Sequence, residues 1–206
     1  MDQIDINDPA TYKLYSDGRT IGTFQFESAG MQKYLRELQP STFEDLIAMN
    51  ALYRPGPMDF IPQYIKGKNN PDSITYDCPQ LEPILAPTYG CIVYQEQVMQ
   101  IVRDLAGYTL GRSDLLRRAM SKKKGDVMQK ERQNFVYGNP DEGVPGCIAN
   151  GIDEKTANKI YDEMIDFAKY AFNKSHAAAY AVVSYQTAWL KYYYPCLLYT
   201  SPSPRD

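Results

Sequence analysis

Helix-start residues followed by apolar residues at helical spacing recur along this chain, and they constrain its fold more than any other pattern. Ser28 precedes one such run and Thr42 precedes another. Serine and threonine favour the N-cap position because their hydroxyl oxygen accepts a hydrogen bond from a backbone N–H of the first turn. The sequence therefore predicts one helix after Ser28 and another after Thr42. The second must end before Pro55, because the residue before a proline disfavours helical backbone.

The same reasoning predicts further helices, separated by segments rich in proline, glycine and asparagine. They are expected at about 60–66, 95–105, 114–121, 126–137, 153–170 and 176–193. Residues 57–87 and 138–151 are expected to be largely irregular. The sequence thus predicts a mainly α fold, an irregular multi-helix domain with long loops and at most short strands.

One segment reverses the charge of the chain. The whole protein has a net charge of −3, whereas residues 103–132 contain nine basic and four acidic residues. The basic residues of its central part are Arg112, Arg117, Arg118, Lys122, Lys123 and Lys124. Arginine and lysine supply charge-assisted donors to phosphoryl oxygens, so the segment is a candidate phosphate-binding surface. The alternative is a basic helix face that only meets solvent.

A second candidate lies at the start of the last predicted helix. Ser175 is a suitable N-cap, Lys174 precedes it, and His176, the only histidine of the chain, follows it. The first turn of a helix attracts anions because its N–H groups are unpaired and its dipole end is positive. These residues could therefore seat a phosphate or a nucleotide. Alternatively, Ser175 only caps the helix and His176 packs against its neighbours.

Five sequence blocks resemble, in order, the fingers region of the family C replicative polymerases, the alpha subunits of bacterial DNA polymerase III. They include FEDLIAMNALYRPGPM, AGYTLGRSDLLRRAMSKKK and FAKYAFNKSHAAAYAVVSYQTAWLKYYYP. The blocks are Gly22–Met31, Phe43–Met58, Pro87–Ile101, Ala106–Lys124 and Phe167–Pro195. One departure is Ser121, where the family pattern leads us to expect glycine.

The resemblance implies a fingers domain over residues 1–195 of a DNA-directed DNA polymerase. Its partners would be the incoming deoxynucleoside triphosphate and primer-template DNA. The family's catalytic aspartates, which bind Mg²⁺ in the parent enzyme, belong to the palm, so no catalytic or metal-binding residue and no cofactor is expected in this chain. Neither Asp5 nor the pair Glu163 and Asp166 offers a convincing two-metal site. We therefore expect no activity from the chain alone.

The resemblance also assigns site residues. Arg117 and Arg118 match an arginine pair that points toward the triphosphate, and Lys122–Lys124 would extend the positive field along phosphate. Asn173, Lys174, Ser175 and His176 would line the nucleotide seat, with His176 beside the sugar. Arg54 could bind phosphate or hold the turn after its helix.

Other expectations concern the surroundings of the protein. Residues 196–206 have no periodicity and contain two prolines, which is typical of a non-native, disordered tail. The widely spaced cysteines contain no C-x-x-C pair, and no apolar run approaches membrane-spanning length, so we expect free thiols and a cytoplasmic protein without membrane contact. The sliding clamp and other replisome subunits would bind other parts of the parent protein.

Two other classes of protein stay open at this point. The chain could be a free-standing helical nucleic-acid-binding module, although its acidic remainder argues against strong nonspecific DNA binding. It could also be a protein-interaction domain whose basic helix docks on an acidic partner.

Overall fold

The computed structural model describes residues 4–121, 125–168 and 170–196. It contains ten α-helices in this part of the chain. They are α1 Pro9–Ser16, α2 Ala29–Leu38, α3 Phe43–Leu52, α4 Ile61–Asn69, α5 Glu82–Leu85, α6 Gln95–Ala106, α7 Leu110–Ser121, α8 Gly125–Tyr137, α9 Glu154–Ala168 and α10 Lys174–Tyr193. Short 3₁₀ turns lie at Pro57–Phe60, Pro71–Ser73, Pro79–Leu81, Ala86–Thr88 and Pro140–Glu142.

Extended pairing is confined to isolated bridges in the described residues, at Tyr94 with Phe172 and at Asn139 with Val144. The prediction of a mainly α fold with at most short strands is therefore confirmed. None of the described helices combines the length and apolar character needed to cross a membrane. Lys122, Lys123 and Lys124 and the tail from residue 197 lie outside the described residues.

The chain divides into two compact units. The first unit comprises residues 1–69 and 175–206, and the second comprises residues 70–174. α10 thus begins in the second unit with Lys174 and continues in the first from Ser175. The assignment of residues 1–195 to a single fingers domain stays a prediction.

Local capping determines where α2 and α3 of the first unit begin. Ser28 Oγ accepts a hydrogen bond from Met31 N at 3.3 Å, as the sequence predicts for α2. Thr42 and Asp45 form a reciprocal capping box at the start of α3. Asp45 is fully buried and also forms an ion pair with Lys68 of α4, so the cap is tied to the packing of a neighbouring helix.

The second unit packs α6 against α7 and α8 against α9. α6 ends at Gly107, whose φ of +76° is accessible to glycine at little cost. Between α7 and α8, Arg112 Nη2 lies 2.9 Å from Glu131 Oε1 and its Nη1 contacts Glu142. Arg112 is therefore an internal ion-pair residue and not a part of an open basic surface.

Two helix starts differ from the sequence-based prediction. α7 begins at Leu110, four residues before the predicted start, after a Tyr108–Thr109 segment. α10 begins at Lys174, so Ser175 lies inside the helix and the prediction that it is the N-cap is wrong. A distant residue meets this start, because the carboxylate of Glu96 accepts a hydrogen bond from the Lys174 backbone N–H and satisfies this first-turn donor.

Candidate nucleotide-binding site

The site in the second unit is built on the first turn of α6, which is held by Gln97. Gln97 Oε1 accepts hydrogen bonds from Val93 N at 2.8 Å and from Tyr94 N at 3.0 Å. Its amide nitrogen donates to Thr88 Oγ1 at 2.8 Å. The side chain is buried, so these bonds fix the direction in which the preceding residues enter the helix.

Gln95, the first residue of α6, joins three parts of this unit. Its backbone N–H donates to Phe172 O at 3.0 Å, and its side-chain amide nitrogen donates to Ala171 O at 3.1 Å. Its Oε1 accepts a hydrogen bond from Arg117 Nη1 at 3.1 Å. Gln95 therefore holds the guanidinium of α7 beside the segment that leads into α10.

Arg117 and Arg118 share one carboxylate but differ in exposure. Arg117 donates to Asp114 Oδ1 through Nε at 3.0 Å and Nη2 at 2.7 Å. Arg118 Nη2 lies 2.8 Å from Asp114 Oδ2. The Arg117 side chain is 19% exposed and that of Arg118 is 62% exposed. The hydrogen bonds from Arg117, with the added positive charge of Arg118, hold the pKa of Asp114 below its usual value.

The start of α10 already holds an anionic group, the carboxylate of Glu96. It accepts hydrogen bonds from Asn173 Nδ2 at 2.8 Å and from Lys174 N at 3.1 and 3.2 Å. The Lys174 ammonium lies 5.3 Å from the centroid of the Tyr94 ring. A carboxylate with these donors occupies the kind of position that a phosphoryl oxygen takes at a helix N-terminus.

The structure brings together four of the residues singled out by sequence. Arg117, Arg118, Asn173 and Lys174 lie in the second unit, where Gln95 links Arg117 to the segment before α10 and Glu96 bonds Asn173 and Lys174. Ser175 and His176 belong to the first unit.

The other predicted residues have local surroundings of their own. The His176 ring packs on Tyr180, with 4.5 Å between ring centroids. Arg54 Nε donates to Ala51 O at 2.8 Å, so its guanidinium helps to hold the turn after α3. Burial lowers the pKa of Arg54.

Sequence reasoning missed Gln95, Glu96 and Asp114. Asp114 could have been found, because it stands three and four residues before the arginine pair, where helical side chains meet. For Gln95 and Glu96 the only local signal is the polar run YQEQ before an apolar helix. That pattern indicates a helix start, but their partners near Phe172 are more than 70 residues away in sequence.

The sequence of this chain has clear relatives. The family model described as "Bacterial DNA polymerase III alpha subunit finger domain" matches residues 1–143. The chain therefore belongs to the family of bacterial DNA polymerase III alpha subunits, of which it contains finger-domain sequence.

Individual relatives agree with this assignment. DNA polymerase III subunit alpha of Halalkalibacterium halodurans is 52% identical over 199 residues, which cover 97% of this chain and 17% of that protein. The subunits of Treponema pallidum and Thermus aquaticus are 52% and 49% identical, over 91% and 94% of this chain. The chain spans about a sixth of the length of these relatives. The fingers-region prediction is confirmed, and the matches favour this family over an unrelated basic module.

Proposed function

We propose that this chain acts as the fingers part of a replicative DNA-directed DNA polymerase and binds the incoming deoxynucleoside triphosphate and the template. The relatives named above are DNA polymerase III alpha subunits, and they are similar to this chain over nearly all of its length. The proposal for triphosphate binding rests on one observation: Asp114 and Gln95 hold the guanidinium of Arg117 in place.

Arg117 is suited to a phosphate contact because its geometry is set in advance. Gln95 and Asp114 fix its Nη1, Nε and Nη2 atoms, and the side chain still retains some solvent exposure. A prepositioned guanidinium loses less side-chain entropy on binding than a free one. Arg118 is more exposed and is proposed to turn from Asp114 to the triphosphate.

The carboxylates of Asp114 and Glu96 define how binding would proceed. Each accepts hydrogen bonds from donors that suit a phosphoryl oxygen, namely arginine side chains and the first N–H of α10. A triphosphate carries more negative charge than one carboxylate, so it competes for these donors with a larger electrostatic gain. In this scheme the phosphoryl oxygens of the nucleotide replace the carboxylates of Asp114 and Glu96 as acceptors for these donors.

The proposal also includes the remaining residues that the sequence predicts to contact the nucleotide or DNA phosphate. Ser175 and His176 would contact the nucleotide, with His176 beside the sugar. Lys122–Lys124 and Arg54 would bind DNA phosphate.

The metal ions of the reaction would come from outside this chain. No cluster of three or more histidine, cysteine or acidic side chains suited to a metal occurs among the described residues. We propose that palm carboxylates would hold the Mg²⁺ of the parent enzyme, which would supply charge stabilisation at the phosphates. Contacts with the sliding clamp and other replisome subunits, and a cytoplasmic location, accompany the proposed function.

A binding titration tests the proposal directly. The purified chain is titrated with a fluorescent deoxynucleoside triphosphate at low ionic strength, and anisotropy is recorded. We expect Arg117→Ala to weaken binding by about tenfold or more, because a charge-assisted contact to phosphate contributes about 1.5–3 kcal/mol. Arg103→Ala serves as the matched control, since Arg103 is an exposed arginine of the same unit.

Equal affinity of the Arg117→Ala and Arg103→Ala variants would refute the proposed phosphate contact. Circular dichroism melting of each variant excludes unfolding as the cause of a loss.

A further inference from the structure

Phe24 is an exposed aromatic residue whose backbone is held on both sides. Its N–H donates to Thr187 Oγ1 at 3.1 Å, and its carbonyl accepts a hydrogen bond from Ser184 Oγ at 2.6 Å. Phe24 is 39% exposed although Phe26, two residues later, is fully buried. An exposed ring on a backbone held by two residues of α10 presents an apolar surface at a defined place in the fold.

Phe24 is the first of three rings that we call the aromatic row: Phe24, Tyr180 and His176. The Phe24 and Tyr180 centroids are 5.4 Å apart, and those of Tyr180 and His176 are 4.5 Å apart. Tyr180 is 37% exposed, and His176 is exposed one helical turn before it. Adjacent exposed rings at this spacing are the kind of platform on which successive nucleobases stack.

A pocket of roughly 670 Å³ opens beside the aromatic row. Phe24 is one of its lining residues, together with the polar residues Thr23, Gln25, Glu27 and Tyr53. Thr23 is buried, and its hydroxyl has no hydrogen-bond partner in the part of the chain that the structure describes. A buried hydroxyl of this kind costs free energy unless a bound molecule or water pairs with it. Gln25 has a φ of +67°, which a non-glycine residue rarely adopts.

We propose that the aromatic row and this pocket bind nucleobases of an unpaired DNA strand. Successive bases stack on the Phe24 and Tyr180 rings, and the polar groups of the pocket hydrogen-bond the edge of a base or its sugar. Lys191 contacts the Ile21 carbonyl in the loop that bears Phe24, so a cation is available there for the strand's phosphates.

The choice of DNA as the ligand rests on the proposed function, whereas the choice of a nucleobase rests on the rings and the polar pocket. A free nucleotide offers the same base chemistry as a DNA strand. The two ligands differ in the number of rings they can occupy, because only a strand places several bases on several rings. The experiment therefore compares them.

Binding of a fluorescent ten-residue oligothymidylate to the purified chain tests the inference. The comparison ligands are an oligonucleotide of equal length without bases and free thymidine triphosphate. We expect the strand with bases to bind at least tenfold more tightly than the abasic strand. Phe24→Leu and Tyr180→Leu should each weaken its binding by about tenfold, since stacking of one base contributes about 1–3 kcal/mol.

Tyr180→Phe keeps the ring and should retain the affinity, which separates stacking from a general effect of substitution at this position. Tyr192→Leu, another exposed tyrosine of α10, is the control variant and should bind as the unmodified chain does. Equal binding of the abasic strand, or unchanged binding by both leucine variants, would overturn the inference. If the leucine variants weaken only free nucleotide binding, the strand is the wrong source. These results are independent of Arg117, whose variant reports on the triphosphate alone.

Discussion

The Glu96 carboxylate accepts hydrogen bonds from the backbone N–H of Lys174, at 3.1 and 3.2 Å, and so supplies the first turn of α10 with an acidic partner. The two residues are 78 positions apart in the sequence. The same turn is the proposed phosphate seat, so the protein's own carboxylate and the ligand would compete for one donor.

Replacing Glu96 by glutamine tests this competition. The amide keeps an oxygen acceptor for the Lys174 N–H but removes the negative charge. We expect triphosphate affinity of the chain to rise by about two- to fivefold, because a charge at a helix N-terminus contributes about 0.3–1 kcal/mol. Fluorescence anisotropy measures the change, with Asp104→Asn on the same helix as control. Weaker binding would instead show that Glu96 positions Asn173 and Lys174.

Arg117 and Arg118 should differ in a full-length alpha subunit that carries this segment. We expect both Arg117→Ala and Arg118→Ala to lower kcat/KM for nucleotide insertion. Each variant should lose about 2–4 kcal/mol of transition-state stabilisation. Arg117→Ala should also lower the melting temperature, since it removes the bonds to Gln95 and Asp114. Single-nucleotide kinetics and thermal melting measure both effects. Unaltered kinetics in both variants would leave the pair with a structural role only.

His176 is predicted to exclude ribonucleotides. In the full-length subunit, His176→Ala should relax discrimination against a 2′-hydroxyl more than it slows deoxynucleotide insertion, because alanine leaves the space beside the sugar empty. The measurement is kcat/KM for matched ribo- and deoxynucleotides. A packing role on Tyr180 predicts the opposite pattern, a lower melting temperature with an unchanged ratio.

The isolated chain should not extend a primer. No group of three or more histidine, cysteine or acidic side chains suited to a metal ion occurs among its described residues. Primer extension with purified chain, template and magnesium should remain at background, with a complete alpha subunit as the positive control. Incorporation that persists after removal of host polymerases would contradict this prediction.

The ion pairs of Glu142 predict how stability depends on pH. Hydrogen bonds from Lys130 and Arg112 lower the pKa of Glu142 below its ordinary value of 4.5. A lowered folded-state pKa means that this contribution is complete above pH 4.5 and is lost as the pH falls through the folded-state value. Glu142→Gln should therefore lower the melting temperature at pH 7. The variant's melting temperature should also decrease less than that of the unmodified chain as the pH falls below 4.5. Glu82→Gln is the control, and parallel melting profiles for both variants would refute the assignment.

The sequence alone determined the features that depend on neighbours within one or two turns. The starts of α2 and α3 follow from Ser28 and Thr42, because a cap and its N–H donor are three residues apart. The end of α6 follows from Gly107, whose backbone freedom is a property of the residue itself. The family assignment also came from the sequence, since long ordered blocks identify a relative without coordinates.

Only the tertiary structure decided how distant residues pair. Glu96 satisfies the first N–H donor of α10, and Gln95 holds the Arg117 guanidinium. The sequence did not predict the aromatic row either. The residues next to Phe24 in sequence do not indicate that Ser184 and Thr187 hold its backbone beside Tyr180. A cap or an i,i+4 pair is set by the geometry of one helix, whereas these contacts exist only once separate segments have packed together.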